Sequence, residues 1–505
     1  MPGLLTGKDF WTKSAVFISL SVFLFFLAGR VLLVFFPHPD IGGVEGNVVY
    51  FIQRIVDGQA FYTDPAEAPY AIAQYSPFYY WLCSALCKAV GVDADNVIAV
   101  YTVGRIFSLL LNLLLVVVVY RFCRKIYDVP PSRSMIASAA SFIFLQSTSF
   151  ARPDSLYHVF FFMGLYYFFL FCKKEKQNVT GTLLFAAALF SVLALFSKQT
   201  AFILPLIFGA WLLYTKKIRH LLVFTAVYLA LFFLLLLIIS SSTGLAPFLK
   251  NTVQGINNGV SIGWYIKVVL VPLIKGVSIL FLLFSLVLFV LVKKDRHPLT
   301  AVSMYVSAIL FLLLNVIALK LGSSPGYLTE WWTFLFILVA FYWPLFSRLT
   351  GKAGHVLPGT VVLLALLIHA GLQIPAFTST LNAISSPAKM HWYNKEKEVS
   401  EKIKRQLKPG EEYVVFTNIY TPDSYLSNFL FRHAVMPQME ITALSTYPDK
   451  KYDYTGFEKG LQDGRFRLMI KKQTDTVSRF FNISLNGYQP ADTSSGYIIY
   501  QYKKE

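Results

Sequence analysis

The chain has 505 residues, of which 56% are hydrophobic and only 14% charged, and its mean hydropathy is +0.56. That is too apolar for an ordinary soluble multidomain protein. A formal charge of +18 would point to nucleic acid in a soluble chain, so the position of the cations decides what the charge means. Of the four cysteines, Cys123 and Cys172 stand far apart and Cys83 and Cys87 read as small apolar packing residues, with neither metal spacing nor a dense disulfide framework.

Crossing a hydrocarbon core of roughly 30 Å takes about 20 apolar residues. Apolar runs at 14–36, 98–120, 134–151, 156–172, 180–197, 199–214, 220–240, 268–292, 299–319, 329–346 and 356–376 predict a polytopic α-helical membrane protein of about eleven transmembrane helices. The first run is too long for a cleavable signal, and no small-residue cleavage site precedes Pro37. Cations recur at every second connection: Lys8 and Lys13, Arg121 to Arg133, Lys173 to Lys176, Lys216 to Arg219, Lys293 to Arg296, and Arg348 with Lys352. Short basic loops stay in the cytoplasm, so the N-terminus is expected inside, at the cell (inner) membrane.

Residues 1–376 hold 27 Lys and Arg against 13 Asp and Glu, and 17 of those cations fall in the predicted inner segments. The positive charge is therefore a topology signal, and no nucleic-acid partner is needed. Nine of the 13 acids fall on the opposite face, where the longest connection, 37–97, also lies. Any chemistry is expected there.

Within that connection, Val48, Val49, Ile52, Ile55 and Val56 form one helical stripe, predicting a helix over 46–57 lying on the membrane surface and stopped by Gly58. Residues 77–90 open on Pro and stop at Gly91, predicting a second surface helix. Composition changes near Ser386. A charged helix ending at Pro409–Gly410 and strands at YVVFTN, RFRLMI and GYIIYQYK predict a small extracytoplasmic α/β domain over 377–505, after the membrane domain 1–376.

No nucleotide-binding, zincin, CxxC or GxSxG motif is present. Four polar sets remain at the outer ends of apolar runs, positions that are function candidates by default. Asp40 precedes Glu45, which is predicted at a helix start where the dipole favours a carboxylate. Arg152-Pro153-Asp154 is either a self-satisfied pair at a bend or a source of a second cavity-facing acid, and His158 follows one turn on. Lys198 sits in a hairpin with almost no loop, where snorkelling explains the Lys but not its neighbours Gln199 and Thr200, and where a cation suits a lipid phosphate. The connection 320–330 carries Tyr327 and ends in Glu330, either a solvated charge or a substrate contact, and Arg105 is an isolated cation near the outer start of the second span.

The order of these parts resembles membrane glycosyltransferases of the GT-C fold, the superfamily of protein O-mannosyltransferases and lipid A aminoarabinose transferases. The resemblance rests on one span, a long outer loop with an acid and two surface helices, Tyr75-Ser76-Pro77-Phe78-Tyr79-Tyr80-Trp81, the Arg-Pro-Asp turn, Ser197-Lys198-Gln199-Thr200, the Gly322–Glu330 loop and an outer tail. It implies transfer of a sugar from a polyprenyl-phosphate donor to an unknown acceptor (protein, lipid or glycan) on the outer face, by inversion. Glu45 then matches the base, with Asp40 in reserve, and Asp154 the second acid. Lys198, with Arg152, Arg105 and the position of Tyr75, binds the donor phosphate, and His158, Tyr327 and Glu330 contact substrate. A divalent metal on Asp40, Glu45, Asp154 and His158 is open. A lipid transporter or flippase, or an envelope polymer ligase, are the alternatives.

Overall fold

The computed structural model describes residues 7–35, 44–145, 150–174, 180–257, 259–272, 297–349, 357–385, 387–416, 428–435, 452–473 and 487–503. Long helices carry most of the chain: α1 Gly7–Val34, α2 Val44–Val56, α3 Phe78–Ala89, α4 Val97–Ile126, α5 Pro131–Ile143, α6 Asp154–Lys174, α7 Thr180–Leu195, α8 Ile203–Tyr214, α9 Ile218–Thr243, α10 Thr300–Ala318, α11 Thr329–Leu349, α12 Leu357–Ser385 and α13 Pro387–Gln406. Among the described residues, five helices are long and apolar enough to cross a membrane: α1 from Lys13, α4, α6, α9 and α10. Helices α7 and α8 are apolar but shorter. Ten of the eleven apolar runs fall on helices, whereas most of the eighth lies outside the described residues. The third run forms only the 13-residue α5, which stops at Ile143 instead of reaching residue 151.

Helix α6 packs on α4 and α7, α5 packs on α1, α4 and α11, and α12 packs on α1. Their contacts are rich in aromatic rings, as where Phe168 stacks on Phe208 at 4.1 Å between centroids. Local punctuation matches the sequence: Pro77 precedes α3, Gly91 ends it with φ +68°, and Asn96 caps α4 by accepting from the Ala99 amide. Cys83, Cys87 and Cys123 are buried free thiols.

The expected surface helix at 46–57 is instead enclosed. In α2 every residue from Glu45 to Arg54 is buried, because α3 and α4 cover one side and the short helix Asn428–Phe431 the other. Three of its polar residues donate to backbone carbonyls: Asn47 to Ile72 O, Gln53 to Ala94 O at 2.7 Å, Arg54 to Ala60 O.

Beyond α13, the C-terminal domain is a four-stranded sheet of β1 Glu412–Phe416, β2 Phe466–Lys472, β3 Tyr488–Ser494 and β4 Tyr497–Tyr502, in the order β1-β2-β4-β3. Strands β1 and β2 are parallel, and the other pairs antiparallel. Strand β3 is absent from the sequence expectation and carries Pro490, a residue that disfavours strand interiors. Pro490 is tolerated here on the sheet edge, beside a register shift. The domain rests on the connection after α2. Arg432 pairs with Asp57, Tyr452 donates to Lys250 O at 2.7 Å, and Tyr70 and Ile72 enter an apolar cluster with Phe416, Tyr454, Phe457 and Phe466. It thus covers the bundle end where α2, α4, α6 and α11 begin. At the opposite end, Lys173 pairs with Asp128 at 2.7 Å.

Candidate active site

Asp154 opens α6 and Lys198 sits in the kink that ends α7. The Lys198 amide bonds back to Ala194 O at 2.8 Å while its own φ of −152° is extended, so the chain leaves α7 there and restarts as a single 3-10 turn, Gln199–Phe202. This kink turns the ammonium inward, 2.5 Å from Asp154 Oδ1, with the rings of Tyr327 and Tyr157 at 5.1 and 5.7 Å. Lys198 is buried and Asp154 half-buried. Burial works against the ammonium, but the Asp154 carboxylate prevails and raises the Lys198 pKa above the ordinary lysine value. Neither the self-satisfied Arg152–Asp154 pair nor a snorkelling Lys198 describes this geometry. Gln199 explains its own place by donating to Gln74 O at 2.7 Å, which ties the kink to the first connection.

Glu45 lies in the first turn of α2, as expected, but it is fully buried. Its two oxygens take Arg105 Nε and Nη2 at 2.7 Å each, and Oε1 also accepts from the Ala151 amide at 2.9 Å. Arg105 completes its fork on Leu33 O at 2.8 Å. The bidentate pair links α2, α4, the end of α1 and the turn that leads into Asp154. A Cβ on Gly104 would come 2.8 Å from Ala151 Cβ, so glycine is what lets that turn approach α4.

His158 stands one turn beyond Asp154 on the same face of α6. Its Nε2 lies 3.0 Å from Glu330 Oε1 in the first turn of α11, and both side chains are buried. Glu330 is therefore not a solvated helix-start charge. His158 Nδ1 and Glu330 Oε2 are buried without a hydrogen-bond partner, and the Tyr157 hydroxyl lies within reach of Thr200 and Glu330.

The structure thus brings Asp154, Lys198, Tyr327, His158 and Glu330 together, with Arg152 within electrostatic reach of Asp154. It does not bring Arg105 to Lys198: the guanidinium expected at the donor phosphate is bonded to Glu45 and Leu33 O instead. Tyr75 offers its carbonyl to the Tyr62 hydroxyl at 2.8 Å. Asp40 lies outside the described residues. Of the residues considered for a metal, Glu45, Asp154 and His158 each face a different partner, and among the described residues no three His, Cys, Asp or Glu side chains group as a metal set. Sequence reading missed Tyr157 as a wall of the site. It also missed Lys250 and Asn251, which hold the first connection through Asp64 and through Ala73 N at 2.7 Å.

Residues 74–242 match the family described as dolichyl-phosphate-mannose-protein mannosyltransferase. No curated protein matches the sequence. Among solved structures, ArnT from Cupriavidus metallidurans bound to undecaprenyl phosphate is 15% identical, with 97% of each chain covered and a TM-score of 0.60. The Archaeoglobus fulgidus oligosaccharyltransferase in its apo form is 14% identical at a TM-score of 0.58, covering 92% of this chain and 70% of that one. The same organism's AglB, in complex with an inhibitory peptide and a dolichol-phosphate, is 13% identical at 0.55, covering 96% and 74%. At such identities the likeness is one of fold, and it runs from the first helix to the C-terminal sheet: this chain is a multi-pass membrane protein of the GT-C fold.

Proposed function

We propose that the protein is a membrane glycosyltransferase that takes a sugar from a polyprenyl-phosphate donor and passes it to an acceptor hydroxyl on the extracytoplasmic face, with inversion. The observation that carries this reading is the Asp154–Lys198 pair, held between two tyrosine rings at the bundle end where the acids gather. A donor with a hydrocarbon tail and an anionic head needs a cation beside lipid-facing helices, and Lys198 stands there with Arg152 near. The undecaprenyl phosphate and dolichol-phosphate of the similar structures support the same class of donor.

In this reading the donor phosphate takes the Lys198 ammonium from Asp154. Losing its cation makes the carboxylate more basic at the moment the sugar arrives. The acceptor oxygen then attacks the anomeric carbon from the face opposite the phosphate and gives its proton to Asp154. The electron pair of the breaking carbon–oxygen bond leaves with the phosphate, whose growing charge Lys198 and Arg152 stabilise. Glu45 is assigned a positioning role in place of the base, because both its oxygens are engaged by Arg105.

The test supplies purified protein in lipid with lipid-linked sugars and follows release of polyprenyl phosphate. Asp154→Asn is expected to lower turnover about 10²–10⁴-fold, the usual contribution of a positioned base. Turnover within threefold of wild type in both Asp154→Asn and Lys198→Met rejects the assignment. Movement of labelled lipid across vesicles without bond cleavage would identify a transporter instead.

A further inference from the structure

Beside the Asp154–Lys198 pair lies a second polar group that the transfer chemistry above does not use. His158 is 2% exposed and Glu330 3%, and each joins the other through one atom only. An imidazole that donates its Nε2 hydrogen to a carboxylate keeps a lone pair on Nδ1. With the imidazole neutral, the two atoms left over, His158 Nδ1 and Glu330 Oε2, are both hydrogen-bond acceptors, and both are buried without a partner. The Tyr157 hydroxyl lies within side-chain hydrogen-bonding reach of Thr200 and of Glu330. Buried polar groups in folded proteins are nearly always paired, so the unpaired atoms of the His158–Glu330 pair mark it as a candidate ligand contact.

The three elements that carry this group also carry the phosphate end. His158 is one turn beyond Asp154, Thr200 is two residues beyond Lys198, and Glu330 is three beyond Tyr327, whose ring covers the ammonium. Glu330 is also within electrostatic reach of Lys198. A molecule whose phosphate rests on Lys198 thus presents whatever is attached to that phosphate to two acceptors and two hydroxyls.

We propose that His158 and Glu330 form the sugar-recognition subsite, which takes a ring bearing two adjacent hydrogen-bond donors, either hydroxyls or a hydroxyl beside an amino group. This rests on the lipid-linked-sugar reading above. It makes the pair a specificity device: a site that bonds a substrate OH or NH rejects the analogue lacking it, because its own buried groups are then left unpaired.

The test measures dissociation constants, by tryptophan fluorescence of the full chain in nanodiscs, for bare undecaprenyl phosphate and for the same lipid carrying mannose, glucose or 4-amino-4-deoxyarabinose. The readout is the ratio of bare to sugar-linked values. Wild type is expected to gain about tenfold with at least one sugar, the worth of one or two hydrogen bonds. A gain with the neutral sugars assigns the subsite to hydroxyls, and a gain with the amino sugar alone assigns it to an ammonium. Glu330→Gln and His158→Phe should bring the ratio within about twofold of one, whereas Lys198→Met should weaken both lipids and keep the ratio. The same comparison from the substrate side, with the corresponding dideoxy sugar on wild-type protein, needs no variant to fold and should also abolish the gain. No gain with any sugar, or a ratio unchanged in both variants and with the dideoxy sugar, overturns the subsite while bare-lipid binding stands. Failure of wild type to bind bare undecaprenyl phosphate overturns the lipid-phosphate reading, and the subsite with it.

Discussion

Asp154 Oδ1 lies 2.5 Å from Lys198 Nζ, although 44 residues and a helical hairpin separate the two in sequence. Each side chain satisfies the other's charge where water is scarce, and removing Asp154 leaves the buried Lys198 ammonium without its partner.

Breaking that pair from one side is therefore expected to destabilise the fold by about 3–5 kcal/mol, and less if the half-buried Asp154 regains water. The double variant Asp154→Asn with Lys198→Met should recover most of the lost thermal stability in detergent but none of the turnover. If the double variant melts as low as the two single losses added together, the side chains are not energetically coupled.

The Glu45–Arg105 pair makes a different demand, because its surroundings are oriented for one polarity. Exchanging the two residues would aim a guanidinium at the Ala151 amide and a carboxylate at Leu33 O. The swapped protein is expected to fare no better than Glu45→Ala, scored as the monodisperse fraction on size-exclusion chromatography. Recovery to wild-type yield would show that the pair needs only opposite charges.

Gly104→Ala adds one methyl against Ala151, three residues ahead of Asp154. Overpacking of this kind costs typically 1–3 kcal/mol. The turn that positions Asp154 must shift, so activity is expected to drop more than thermal stability does. Equal turnover in the variant would show that α4 yields in place of the turn.

Asp64 and Lys250 hold the connection that carries Gln74, and the link responds to acid. Burial alone would raise the Asp64 pKa, but hydrogen bonds from Lys250 and the Ala66 amide prevail and lower it below the ordinary value of about 4. A lowered folded value means stabilisation that is present above the unfolded value and lost as pH falls through the folded one. Both groups are partly exposed, so the effect stays below about 1 kcal/mol. Protection factors across residues 63–73, with the intrinsic slowing of exchange in acid divided out, are expected to fall between pH 5 and pH 3. The Lys250→Met protein should exchange faster already at neutral pH, and equal rates there would remove the latch.

Orientation is checked separately. A reporter active only outside the cytoplasm, fused after residue 505, should be active, and the same reporter placed between Lys174 and Thr180 should be silent. The reverse pattern would move the acids and the C-terminal domain to the cytoplasmic face.

The membrane class, nearly all the helices, the acidic end of the bundle and most of the C-terminal strands were legible in the sequence. Hydropathy, loop charge, Pro77 and Gly91 act locally, over one helix or one turn, and a linear string carries them intact. Pairing was not legible. Asp154 meets Lys198 in preference to Arg152 two residues before it, and Arg105 meets Glu45 in preference to a phosphate, because helix packing sets which charges share a buried volume. The same holds for α2, whose stripe suited a membrane surface until a domain almost 400 residues later in the chain covered its other side. Sequence by itself determined which residues are too expensive to bury alone. Only the tertiary structure decided which of them are buried together, since the energy of a buried charge depends on a partner within a few ångströms and not on its neighbours along the chain.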